Sequence, residues 1–188
     1  MYKVFVGYGV PSDLHPAVQH IDKMVQQHNG TVERKNPLHV TVMAPRIVTN
    51  EEQVRLEKIV EDFNKARKFV LCRLGSLRRF VHRGHHHFVV EVRGSRVEDS
   101  IDRFHANLEQ HFSWRRQKYE GRSPHITLLS SKIMDSVDTF DRVVRGMGQL
   151  ELPTENIKLP SLVLHTRRVS RVCTPQLPEV PLETGWHP

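Results

Sequence analysis

Apolar positions along the chain switch between a period of two and a period near 3.6. Tyr2 to Val10, rich in Val, Phe and Tyr, predicts a strand. Pro11-Ser12-Asp13 then opens a helix with Leu14, Val18, Ile21 and Val25 at helical spacing, and Asn29-Gly30 ends it. Leu38 to Met43 predicts a short β-branched strand. Thr49 or Asn50 caps a second helix, Glu52 completes a capping box with Thr49, and Val54, Ile59, Val60 and Phe63 form the apolar side. Phe69 to Phe80 and His86 to Val92 predict a hairpin through Arg83-Gly84. Ser95 with Glu98 is a second capping box, ahead of Val97, Ile101, Phe104 and Leu108 on one helical face. Ile126 to Leu129 is a strand, Val137, Phe140, Val144 and Met147 mark a shorter helix, and Ile157 to Val169 returns to strand character. No Gly/Ser linker divides these elements. One domain over residues 1–170 is expected, α+β or α/β by element order, which leaves the sheet topology open. Pro175, Pro178 and Pro181 predict an extended tail over residues 171–188.

Two of the strands carry the same polar pattern. One reads Pro37-Leu38-His39-Val40-Thr41-Val42 and the other Pro124-His125-Ile126-Thr127-Leu128. On a strand, His and Thr two residues apart share a face, while Val40, Val42, Ile126 and Leu128 turn to the core. Each motif thus offers one imidazole and one hydroxyl side by side. If the strands are neighbours, two imidazoles and two hydroxyls converge. That set suits in-line displacement at phosphorus. One histidine takes a proton from the attacking oxygen and the other protonates the leaving oxygen, as an imidazole titrating near 6.5 is able to do. The threonine hydroxyls, His39 and His125 aside, donate to the non-bridging oxygens where charge builds up. Thirteen His and nine Thr in 188 residues give about 0.6 such matches by chance, so one motif alone means little and the matched pair carries the weight. A looser match, His111-Phe112-Ser113, falls at a helix end and is incidental.

Composition narrows the partners. Twenty-eight Lys and Arg against 21 Asp and Glu give a net charge of +7, with a pI near 9.7 and 13 histidines. The excess favours nucleic acid, nucleotides or phosphate esters. At 38% hydrophobic the chain buries a sizeable core without staples. No run approaches a membrane span, and the opening residues lack the pattern of a signal peptide. Cys72 and Cys173 are solitary, which fits a reducing cytoplasm. Dinucleotide-fold, P-loop and zincin signatures are absent from the sequence.

The paired His-x-Thr strands resemble those of the two-histidine (2H) phosphoesterases, a superfamily that includes 2′–5′ RNA ligase-like proteins and cyclic phosphodiesterases of RNA metabolism. The likeness spans roughly residues 1 to 170. It implies an α+β bilobal fold, with two pseudo-symmetric antiparallel-sheet lobes, helices outside and a central groove. It also implies metal-independent action on 2′,3′-cyclic or 2′–5′-linked phosphates. A monomer without a cofactor is expected. By the same resemblance His39 and His125 are the acid/base pair and Thr41 and Thr127 the phosphate binders. Ligase-like members often place an Arg soon after the second motif. Here Ser130 and Ser131 precede Lys132, and Met43-Ala44-Pro45 stands where an aromatic-Gly pair is common. The alternatives are an RNA- or nucleotide-binding module without turnover and a 2′–5′ ligase running the reverse reaction.

Other clusters are weaker. Trp114 to Arg122 interleaves aromatics with bases just before the second motif, and Tyr119 and Arg122 are the substrate-binding candidates within it. Arg78 and Arg79 read as a charged strand edge. His82, His85, His86 and His87 form a histidine run for which a polar strand entering the groove, or simple surface histidines, is the preferred reading over a metal site. Arg167, Arg168 and Arg171 read as a charged strand end.

Overall fold

The computed structural model describes residues 1–28, 38–67, 69–82, 84–114, 124–134, 136–147 and 150–169. The candidates Tyr119, Arg122 and Arg171 and the proline-containing tail lie outside these. Among the described residues seven strands and four α-helices follow in the order β1 (Tyr2–Gly9), α1 (His15–Gln27), β2 (His39–Val48), α2 (Asn50–Ala66), β3 (Val70–His82), β4 (His85–Arg93), α3 (Ser95–His111), β5 (His125–Ser130), α4 (Val137–Gly146), β6 (Ile157–Leu159) and β7 (Leu162–Arg168). The strands make one antiparallel sheet in the order β6-β3-β4-β5-β2-β1-β7. The fold is α+β.

The alternation read from the sequence decides which side of the sheet is dry. Val4, Val6, Tyr8, Val40, Val42, Val90, Ile126 and Leu128 are buried in one continuous core. Helices α2 and α3 pack over β7, β1, β2 and β3, and α1 and α4 over β5 and β4. The Thr49 capping box forms, with the hydroxyl accepting from the Glu52 amide and the Glu52 carboxylate accepting from the Thr49 amide. On α2 Leu56 joins Ile59 and Val60 in the core, whereas Val54 is exposed. On α4 the buried positions are Thr139, Phe140 and Val143.

Two expectations about elements change. Ser95 is the first residue of α3 and caps nothing; Gly94 occupies the cap position at φ 145°, a conformation that a Cβ disfavours. The stretch Ile157 to Val169 is two strands, because Pro160 has no amide to donate and breaks the ladder. Its halves go to opposite edges, β6 against β3 and β7 against β1. Leu159 and Leu162 are three Cα steps apart, at most about 11 Å. The sheet therefore curls until its edges approach at that end. Asn64 of α2 locks the junction, its amide group donating to the Leu162 carbonyl (2.9 Å) and its carbonyl accepting from the Leu162 amide (2.8 Å).

Candidate active site

Strands β2 and β5 meet at the centre of the sheet, where Val40 lies opposite Ile126. These two residues are the middle letters of the two His-x-Thr motifs. In an antiparallel pair this register sets His39 across from Thr127 and Thr41 across from His125. All four side chains share the face that the helices leave open, while Val40 and Ile126 are fully buried beneath. Ladder neighbours lie about 5 Å apart and diagonal ones about 7 to 8 Å. The histidines are the diagonal pair. The four groups are partly buried, set in the sheet yet open to the groove.

The pseudo-two-fold axis through Val40 and Ile126 extends to the backbone. Against β1, strand β2 carries an extra residue at Val42, between the pairs Gly7↔Thr41 and Val6↔Met43. Against β4, strand β5 carries one at Leu128, between Val89↔Thr127 and Phe88↔Leu129. In both motifs the bulged residue follows the threonine. A bulge bends the strand and re-aims the side chains beside it, here the same hydroxyl in each half. On the dry side His105 of α3, itself buried, hydrogen-bonds through Nε2 to the Val42 carbonyl (2.8 Å). That carbonyl is an acceptor, so Nε2 bears the proton. The Tyr8 hydroxyl, on the strand pair next to Val40, meets the Ser100 hydroxyl of α3 at 2.5 Å. Helix α3 thus supports the first motif from behind by two buried polar contacts.

Each imidazole also has an aromatic neighbour. Phe5 lies 4.6 Å from His39, and its other contact is His165 of β7, stacked on it at 4.3 Å and 9°. Phe80 meets His125 edge-on at 5.4 Å, and His87 stacks on it at 5.0 Å and 22°. Phe5↔His165 and Phe80↔His87 are both direct cross-strand pairs. Burial, and then the charge of His39, holds His165 below the usual imidazole range. Burial, and then Lys132, His82, His85 and His125, pushes His87 down to about 4. Both nitrogens of His87 are closed to solvent and without a hydrogen-bond partner. Of these four rings the sequence marked His87, within its histidine run, and gave no role to Phe5, Phe80 or His165. The only signal for Phe5 and Phe80 is that they pair with histidines once the register is known.

The two halves differ in what sits beside the motifs. Next to β2, Gly9 faces His39 and Gly7 faces Thr41. A Cβ at Gly7 would stand 2.8 Å from the Val40 carbonyl and 3.1 Å from the His39 ring, so the close approach of β1 requires glycine. Next to β5, Glu91 faces His125 and Val89 faces Thr127. Glu91 is held below the usual carboxylate range by its hydrogen bond to Arg93, with the Arg78 guanidinium contributing at 2.5 Å. Arg78 thus turns towards the open face, while Arg79, on the helix side, pairs with Asp141 of α4. Both lie where β3 has run past β6, as a charged edge should. His86 turns to Phe140 on the helix side. Among the described residues no group of three His, Cys, Asp or Glu stands close enough to hold a metal. Of the aromatic-basic segment, Trp114 is described: it stacks on Phe112 at 3.8 Å beneath the Arg46 guanidinium and anchors the end of α3.

Two imidazoles and two hydroxyls, related by a pseudo-two-fold on one face of an antiparallel sheet, define the two-histidine class of site. A family model of the 2′-5′ RNA ligase superfamily matches residues 10–171, and the chain belongs to that superfamily. Among solved structures it is similar to Usb1 of Kluyveromyces marxianus, with a TM-score of 0.45 at 12% identity over 85% of this chain and 97% of that one. A second structure of that protein, with uridine monophosphate, gives 0.42 and 10% over 85% and 96%. No curated protein matches. Among the described residues no helix is long and apolar enough to cross a membrane.

Proposed function

We propose that residues 1–170 form a phosphodiesterase that hydrolyses an RNA or nucleotide phosphodiester, a 2′,3′-cyclic phosphate or a 2′–5′ linkage, by two-histidine acid/base catalysis. The observation that supports it is the register at Val40↔Ile126, which makes the two His-x-Thr strands neighbours with their motifs side by side. In the proposed step one histidine accepts a proton from water as its oxygen bonds to phosphorus. The other gives its proton to the ribose oxygen as the P–O bond breaks, leaving a phosphomonoester and a free hydroxyl. The histidine pair ends with its two protonation states exchanged and resets through solvent. Thr41 and Thr127 donate to the non-bridging oxygens. All four groups come from one chain, and its two histidines perform both proton transfers, so the reaction as proposed needs one protomer and no cofactor. The same site run backwards joins 2′–5′ ends. A cytoplasmic setting with access to RNA fits the basic charge.

The test is hydrolysis of 2′,3′-cyclic nucleotides and 2′–5′ oligonucleotides, with EDTA present, by the wild type and by His39→Ala and His125→Ala. Each substitution is expected to lower the rate at least about a hundredfold. Full activity in either variant overturns the two-histidine mechanism. Tight RNA binding without product in the wild type assigns the groove to binding alone.

A further inference from the structure

A second cleft lies between the start of β3 and helix α3. Its volume is 330 Å³, and it is lined by Arg67, Phe69, Val70, Leu71, Arg96, Asp99 and Arg103. None of the histidines or threonines of the candidate active site belongs to it. Arg96, Asp99 and Arg103 sit at i, i+3 and i+7 and so share one side of α3, while Val97, Ser100, Ile101 and Phe104 face the core. Arg67 approaches from the end of α2.

The lining carries three positive charges and one negative charge. Among the described residues none of the three arginines is ion-paired, although acidic side chains are plentiful on the helices around them. Three like charges gathered round a concavity repel one another, and an anion relieves the repulsion. A guanidinium fork recognises a phosphate by paired hydrogen bonds. Beside them Phe69 is 50% exposed, with the Lys158 ammonium 5.3 Å above its ring. An aromatic this open at a basic cleft is a stacking surface for a base, and Lys158 adds a fourth cation nearby. Asp99 is the acceptor that a ribose hydroxyl needs. The volume is at the lower end of the range for small-ligand sites, the size of a mononucleotide and too small for a folded partner.

We propose that this cleft is a second nucleotide site, which takes a nucleoside monophosphate with the phosphate on Arg67, Arg96 and Arg103 and the base against Phe69. It is separate from the two-histidine groove and stands whether or not that groove catalyses. Helix α3 lies between the two, since it also sends Ser100 to Tyr8 and His105 to Val42 behind the first motif.

The experiment is a titration of ¹⁵N-labelled protein with 5′-AMP, adenosine and inorganic phosphate, followed by amide shifts. With 5′-AMP, residues 69–71 and 96–103 are expected to shift and saturate together. Adenosine should bind at least tenfold more weakly. Arg96→Glu/Arg103→Glu should abolish these shifts and leave hydrolysis of a 2′,3′-cyclic nucleotide within about twofold. Both arginines are exposed on a helix surface, and Arg96→Gln/Arg103→Gln serves if the reversed charges impair folding. Unchanged shifts in the charge variants, or equal binding of adenosine and 5′-AMP, overturn the site. Inorganic phosphate binding as tightly as 5′-AMP, with no effect of Phe69→Ala, overturns the nucleoside half of the assignment.

Discussion

Replacing His87 by Phe is expected to stabilise the protein, and by more at pH 5 than at pH 7.5. The ring stacks on Phe80, and neither buried nitrogen has a partner. Phenylalanine keeps the stack and removes the orphaned polar atoms, worth about 1 kcal/mol at pH 7.5, the low end for an unsatisfied buried group. The pH term follows from the imidazole, which titrates near 6.5 when unfolded and at about 4 in the fold. Its folded value is depressed, so between these limits the unfolded chain binds more protons. The stability His87 contributes is intact above pH 6.5 and is lost as the pH falls through about 4. For the full shift the loss at pH 5 is about 2 kcal/mol. The ring is half-buried, and solvent screening brings this to about 1 kcal/mol. Urea unfolding of wild type and His87→Phe at both pH values should show the stability gap growing from about 1 to about 2 kcal/mol. The variant subtracts the other 12 histidines, which are common to both chains. A gap that is the same at both pH values refutes the buried neutral imidazole. A variant less stable at both refutes the claim that its nitrogens are orphaned.

Two further outcomes follow from the supports around the groove, and a third is a control away from it. Gly7→Ala should cut phosphodiester hydrolysis at least tenfold and lower stability by about 1 to 3 kcal/mol, since its Cβ collides with the Val40 carbonyl and the His39 ring; steady-state rates and a melting curve check both. His105→Leu removes the donor to the Val42 carbonyl at the bulge and should cost about 1 to 3 kcal/mol in urea unfolding. Its rate loss should exceed that of Thr49→Ala. Thr49→Ala breaks a capping box far from the motifs and should cost about 1 kcal/mol with hydrolysis unchanged.

What could be read from the sequence was local. The helix over 50–66, its capping box, and the strands around His39 and His125 are written in residues within four positions of each other. The two motifs were legible because a two-residue period puts His and Thr on one face wherever the strand is placed. Their juxtaposition was a condition, and it is met by a long-range pairing that no local pattern encodes. The partner rings lay further out of reach. In Val4-Phe5-Val6 every residue is apolar, so nothing in that run marks Phe5 as the one facing the site. His87 looked like one of a run of surface histidines, and only its pairing opposite Phe80 turns it inwards. The misread capping box at Ser95 had the right letters one position late, because Gly94 already takes the turn. The single strand expected across Pro160 failed since proline interrupts a ladder without disturbing the apolar pattern on either side.

The two-residue junction at Pro160 and Ser161 has a consequence for how the protein is made. Thr166 pairs with Val4, 166 − 4 = 162 residues upstream, and Leu159 pairs with Val70. One short segment therefore supplies the outer strand of both halves, and it is the last of the described strands to leave the ribosome. Until then the nascent sheet has β1 open on one side and β3 on the other, two unpaired edges exposed for the whole of translation. Such long loop closures are slow to find. A chain cut before Ile157 keeps all four groups of the groove and yet leaves both edges bare, so its loss would show first as aggregation.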